Sequence, residues 1–202
     1  MNNSAKLTKL AYLGILLLTL VSSGCASSLM QPTPAGVEIP KPDSDHALVV
    51  FLRPSSLGAA VQAVVFDTTK ETKVIGVVSQ GTKIPYLVKP GKIELMVVSE
   101  NGDFLKGDLS AGKTYYVVVH PRFGVFRARF GLKAISKDQL TKAETQKWIT
   151  DGVWHSSLPE KLNPWVAQNN ESIEEKRTYY HMKWDMKSES DRPTLHPEDG
   201  LM

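Results

Sequence analysis

Between residues 46 and 135, apolar residues come in short runs, most of them closed by a glycine, proline or asparagine, and that rhythm predicts strands rather than helices. Leu48, Val50 and Leu52 alternate with Val49, Phe51 and Arg53 as far as Pro54. Val61, Ala63 and Val65 interleave with Gln62, Val64 and Phe66, and residues 74–78 and 84–88 give two more strands around Gly81. Pro90-Gly91 forms a turn, because proline presets the first φ and glycine accepts the positive φ that follows. Residues 93–98 continue, Asn101-Gly102 marks a hairpin, and residues 104–109 return. Residues 115–119 and 125–135 complete about eight strands. In the last, Phe126, Ala128, Phe130, Leu132 and Ala134 share one face, with Arg127, Arg129 and Lys133 on the other. This spacing predicts a mainly β domain, an antiparallel β-sandwich or open barrel of immunoglobulin-like size.

One motif tests that reading. Gly107, Gly112, Lys113 and Thr114 satisfy the phosphate-loop pattern G-x-x-x-x-G-K-[ST]. A working phosphate loop opens a helix, whose N-terminus holds the phosphates. Here Tyr115, Tyr116, Val117, Val118 and Val119 follow, a β-branched and aromatic row that forms a strand. The motif is therefore expected to be a tight turn, and no nucleotide is expected.

After residue 135 the period changes. Ser136 and Gln139 form a capping box, Ile135 can staple to Leu140, and a first helix should run to Asp151-Gly152. Pro159 and Pro164 suggest a loop. A second helix is expected from Ser172, where Glu175 repeats the capping pattern, through Trp184 and Met186 to a stop before Pro193. A flexible acidic tail should follow.

The front of the chain is of another kind. Lys6 and Lys9 precede an apolar run over residues 10–21, too short to span a bilayer at about 20 residues, and then Ser22-Ser23-Gly24-Cys25. This order is a secretory signal peptide. Cys25 is the only cysteine in 202 residues, so an internal disulfide is excluded. The stretch Val21-Ser22-Ser23-Gly24-Cys25 resembles the bacterial lipoprotein signal, although Ser22 stands where that family usually has leucine. The resemblance implies diacylglycerol on the Cys25 thiol, with palmitate among the acyl chains of the anchor, and cleavage just before Cys25. Ala26 is not the aspartate that in that family favours inner-membrane retention, which implies an outer-membrane anchor facing the periplasm. Pro32, Pro34, Pro40 and Pro42 make residues 25–45 a tether, with a reach of up to about 60 Å. The expected organisation is a signal peptide over 1–24, lipidated cysteine and tether over 25–45, sandwich over 46–135 and helical extension over 136–202.

Arg53-Pro54 at a strand end, Lys89-Pro90-Gly91-Lys92 before a strand, and Ala111-Gly112-Lys113-Thr114-Tyr115-Tyr116-Val117 together resemble a family of bacterial lipoprotein domains of unknown function. That family is similar in style to the small PEGA-like β-sandwiches. The resemblance covers about residues 46–135, implies a sandwich on a lipid anchor and supplies no catalytic residues.

Charge then narrows the chemistry. Residues 46–135 carry twelve Lys and Arg against six Asp and Glu, a formal +6; residues 136–202 carry nine against twelve, or −3. Arg122, Arg127, Arg129 and Lys133 are the candidate anion-binding residues, suited to an acidic glycan or an anionic lipid headgroup. The alternative is that the acidic tail folds back and neutralises them. Trp148, Trp154, Trp165 and Trp184 all fall after residue 135. They either pin the helices to the sandwich or form a partner surface. His46, His120, His155, His181 and His196 show no metal-ligand spacing, and His196 with Glu198 and Asp199 reads as solvated tail. No G-x-S-x-G elbow, H-E-x-x-H helix or cysteine pair is present. No catalytic residue, metal or cofactor is expected. Nucleic acid is not expected either, because 22 basic against 21 acidic residues remain after residue 24. The expected function is a non-enzymatic, membrane-anchored envelope lipoprotein that binds or scaffolds a protein partner. A glycan- or anionic-lipid-binding module is the alternative, and an envelope-polymer hydrolase the third.

Overall fold

The computed structural model describes residues 29–122 and 129–202. The candidate signal peptide, Cys25 and, from the last expected strand, Val125, Phe126, Arg127 and Ala128 lie outside them. Each of the eight expected strands has a counterpart: β2 (Ala47–Leu52), β3 (Ala63–Asp67), β4 (Lys73–Val78), β5 (Thr82–Val88), β6 (Gly91–Val98), β7 (Gly102–Leu109), β8 (Thr114–Arg122) and β9 (Arg129–Ala134). Three further strands are β1 (Met30–Pro32), β10 (Val153–Ser157) and β11 (Thr194–Leu195). The helices are α1 (Lys137–Leu140), α2 (Ala143–Asp151) and α3 (Pro159–Asp185). The protein is mainly β with a long C-terminal helix. Its strands form two sheets, in the orders β1-β10-β5-β2-β8-β9 and β11-β7-β6-β3-β4.

The all-antiparallel expectation is corrected. β2 pairs parallel with β8, β10 with β5, and β11 with β7. β2 shows why. It lies between β5 and β8 and is buried on both faces. Ala47, Val49 and Phe51 join Val65, Phe66 and Leu95 in the core between the sheets. Leu48, Val50 and Leu52 pack outward against Val118, Ile135 and Leu140 beneath α1. A strand covered on both faces is a continuous apolar run, and such a run carries no mark of pairing direction.

Buried Arg53 continues the inward face of β2. Its guanidinium donates to the carbonyls of Gly58, Val61 and Val78 and lies 4.2 Å from the Phe130 ring centre. It closes one end of the core by tying down the loop after Pro54.

β9 is an edge strand, and two side chains of the opposite sheet finish it. Asn101 accepts from Phe130 N and donates to Phe130 O, both at 2.9 Å, as a neighbouring strand would. Asp103 Oδ2 accepts from Leu132 N at 3.2 Å. Asn101→Ala should therefore cost about 2–3 kcal/mol, because it orphans one buried N–H and one buried C=O. Urea denaturation checks this, and a loss below about 0.5 kcal/mol would mean that the edge is satisfied otherwise.

The C-terminal third departs most from expectation. Instead of one helix over 136–151, α1 ends at Leu140, where Thr141 Oγ1 donates to Asp138 O and Gln146 Nε2 to Leu140 O. Those two bonds satisfy terminal carbonyls and break the ladder. α3 begins at Pro159 rather than Ser172. Proline is favourable at the first helical position, and Pro164 forfeits only the bond to the exposed Glu160 carbonyl. The gain is one buried line, Leu162, Ile173 and Trp184, at intervals of eleven residues or about three turns. The expected flexible tail is instead fixed. β11 lies beside β7 with Leu195 fully buried, and Leu201 bridges Thr114. Asp199 is buried and accepts from the backbone of His196 and Lys137. The expected tether belongs to the folded body from Leu29 onward: Leu29 and Met30 are core residues, and β1 pairs with β10.

Candidate functional site

Following the cations predicted from the sequence leads to one cleft. Arg122 at the end of β8 and Arg129 at the start of β9 are paired across the hairpin, so both stand at the same end of the first sheet. The β6–β7 hairpin of the second sheet contributes Asn101 in its turn and Asp103 near the start of β7, and the last turns of α3 bring Tyr179, Tyr180 and Lys183, with Lys187 just beyond. Together they enclose about 540 Å³.

Each side chain is placed by something specific. α3 crosses β7 and β6, with Trp184 Nε1 donating to Phe104 O at 3.0 Å and Lys176 Nζ to Ser99 O at 2.7 Å. His181 clips the same turn to β6. Its Nε2 lies 3.1 Å from Glu94 Oε2 and its Nδ1 2.9 Å from Asp185 Oδ2. Gly102 lets the helix approach closely, since a Cβ there would come within 3.1 Å of Tyr180 Cβ. Gly131 does the same beneath Arg122: a Cβ would meet Arg122 Cδ, Asp103 Oδ2 and His120 Nε2 at 2.9 Å each. The β8–β9 pairing thus fixes the arginines, and the end of α3 and the residues just after it add the lysines.

The electrostatics favour an anion. Asp103 is buried, and its Oδ1 takes Arg122 Nη1 at 3.2 Å and Lys187 Nζ at 3.0 Å. Lys183 Nζ sits 4.2 Å from the Tyr179 ring centre. Four cations against one carboxylate leave a formal +3. The C-terminal end of α3 contributes only about half a negative charge, so the cleft stays positive. His120 lies beside it. Burial lowers its pKa below the usual histidine range, helped by Arg122 and Lys133 and opposed by its own contact to Pro121 O and by Asp103. At neutral pH it is a neutral ring outside the cleft lining, and it adds no charge of its own.

Of the predicted anion-binding residues, then, the structure joins Arg122 and Arg129. Lys133 is exposed on β9 opposite Val118, away from the cleft lining, and Arg127 lies outside the described residues. The four tryptophans do not share a surface. Trp184 is 2% exposed and acts in packing. Trp165 is half-buried against the core, and Trp154 lies under Lys83 Nζ at 4.6 Å. Trp148 lines a separate pocket of about 330 Å³ with Glu144, Lys147 and Asp151. Lys183, Lys187, Tyr179 and Asp103 were not picked out from the sequence. The four-residue steps Tyr179–Lys183–Lys187 are a helical stripe that could have been read, but Asp103 carries no local signal that sets it apart.

The phosphate-loop residues Gly107, Gly112, Lys113 and Thr114 lie on the end of β7, a turn with Gly112 at φ 73°, and the start of β8. Lys113 Nζ donates to Pro197 O and so holds the tail. Among the described residues, no group of three or more His, Cys, Asp or Glu side chains is placed to hold a metal. No helix there is long and apolar enough to cross a membrane. Compared with known proteins, the chain matches no family model and no curated protein.

Proposed function

We propose that this chain is a lipid-anchored, non-enzymatic binding module of a bacterial cell envelope, and that its ligand carries phosphate or carboxylate groups. The cleft of Arg122, Arg129, Lys183 and Lys187 carries the reading, because two separate parts of the sequence converge to place cations around one space. Two arginines suit bidentate contact with a planar or tetrahedral anion, the lysines add point charges, and Tyr179 and Tyr180 offer rings against which a sugar can pack. Cys25 behind its signal sequence supports the anchor and the envelope location, and the two-sheet body fits the small lipoprotein sandwich suggested by the strand motifs.

Sedimentation of the full chain with purified anionic cell-wall polymer tests the reading. Arg129 and Lys183 are both exposed, so reversing them should leave the fold intact. Arg129→Glu with Lys183→Glu should weaken binding about a hundredfold, from two charge-assisted hydrogen bonds at about 1.5 kcal/mol each. Inorganic phosphate should compete with the wild type. Unchanged sedimentation of the double variant would overturn the cleft as the site.

A second reading, a docking surface for an envelope protein, is favoured by an apolar stripe beside the cleft. Tyr179, Met182 and Met186 on or just after α3 are 49%, 58% and 85% exposed. Loss of an in-cell protein crosslink on Met182→Glu, with polymer binding absent in the wild type, would favour it.

A further inference from the structure

The chain between Cys25 and the folded body is short. Leu29 is a core residue, and four residues reach at most about 14 Å when fully extended. An acylated Cys25 therefore holds the body close against the bilayer, not at the end of a long tether. Strand direction says which end faces the lipid. β1 runs antiparallel to β10, with Met30 opposite Ser157 and Pro32 opposite His155. β10 runs parallel to β5, with Val153 opposite Thr82. The chain therefore enters β1 from the end toward which β5 runs, the end where β5 turns into β6.

That end is basic at its corner. The β5–β6 turn and the β3–β4 turn meet there around a space of about 320 Å³, rimmed by Lys70, Lys73, Lys89 and Lys92, all exposed. The acids among the lining residues are Asp67 and Glu71, and Asp67 accepts a hydrogen bond from the Tyr86 hydroxyl at 2.7 Å. None of the four lysines is in an ion pair with a described residue. Among the lining residues four lysines against two carboxylates leave +2, and Asp108, opposite Lys92 across the β6–β7 pair, stands just outside that lining. The anion cleft lies at the opposite end, since it is built on the β6–β7 turn and β6 runs from one end to the other.

The geometry points to an anionic phospholipid surface as the partner of the Lys70, Lys73, Lys89 and Lys92 corner, seated by the short link to Cys25. This rests on the lipid anchor of the proposed function. It has a consequence for the cleft, which then opens away from the anchoring leaflet, toward soluble or wall-bound anions.

The test is amine acetylation of the full chain in vesicles of phosphatidylcholine alone or mixed with phosphatidylglycerol. Lys70, Lys73, Lys89 and Lys92 should react about fivefold more slowly with phosphatidylglycerol present, while Lys183 at the far end keeps its rate. Lys89→Glu with Lys92→Glu should restore Lys70 and Lys73 to their rates in phosphatidylcholine. Equal rates in both vesicles, or protection of Lys183 in place of the four, overturn the orientation. The mass of the Cys25 peptide in the same samples reads the anchor separately. Acylated Cys25 with unprotected lysines overturns the orientation and leaves the anchor standing, whereas unmodified Cys25 overturns both.

Discussion

Trp184→Ala should lower the unfolding free energy by about 3–5 kcal/mol and release the last turns of α3. The indole is 2% exposed and stands edge-on to Phe104, with ring centres 6.4 Å apart. Lys106 Nζ at 4.8 Å and Arg192 at 5.0 Å lie over its ring. Truncation leaves a large cavity and an orphaned Phe104 carbonyl, two costs that do not simply add. Urea denaturation reads the total. Hydrogen exchange over residues 176–187 reads where the loss falls, and anion affinity should fall with it because Lys183 and Lys187 share that segment. Full protection there alongside a large global loss would show that α3 is held by Leu162 and Ile173 alone.

Asp103→Asn should act in opposite directions on stability and binding. The amide oxygen can still accept from Leu132 N, so the β9 edge keeps its bond. The charge is lost, however, and Arg122 and Lys187 lose the partner that holds them at 3.2 and 3.0 Å. Stability should fall by about 1–2 kcal/mol, since both cations are partly solvated and recover part of the loss in water. The cleft's formal charge rises from +3 to +4, and two cations are freed for ligand, so affinity for an anion should rise about tenfold. Calorimetric titration alongside urea denaturation separates the two. Reduced affinity would mean that Asp103 positions the cations rather than competing with the ligand.

The β half of the fold was open to sequence reading because its local signals agree with its tertiary environment. In β9 Phe130 and Leu132 are buried while Arg129 and Lys133 are exposed, as the alternation requires. Strands β1, β10 and β11 were hidden for a physical reason. They are two to five residues long, rich in polar residues or flanked by proline, and they exist only because distant segments pair with them. The start of α3 is hidden because proline reads as a helix breaker in sequence. Pro159 opens the helix, and the burial of Leu162 outweighs the one bond lost at Pro164. Arg53 marked a strand end in the sequence, yet nothing local reveals a guanidinium buried on three carbonyls.

The cleft was half legible. Arg122 and Arg129 follow from strand alternation and a hairpin. Lys183 and Lys187 join them only through the docking of α3, which depends on contacts about eighty residues apart, such as Trp184 with Phe104. Asn101 reads only as a hairpin residue and Asp103 carries no signal at all, because their role in completing the edge of β9 is set by how the two sheets meet.

The most direct test is calorimetric titration of one purified anionic cell-wall polymer into three full-length proteins. These are wild type, Asp103→Asn, and Arg129→Glu with Lys183→Glu. An anion-binding cleft requires the affinity order Asp103→Asn above wild type above the double reversal. Equal affinities, or no binding by any of the three, would contradict it.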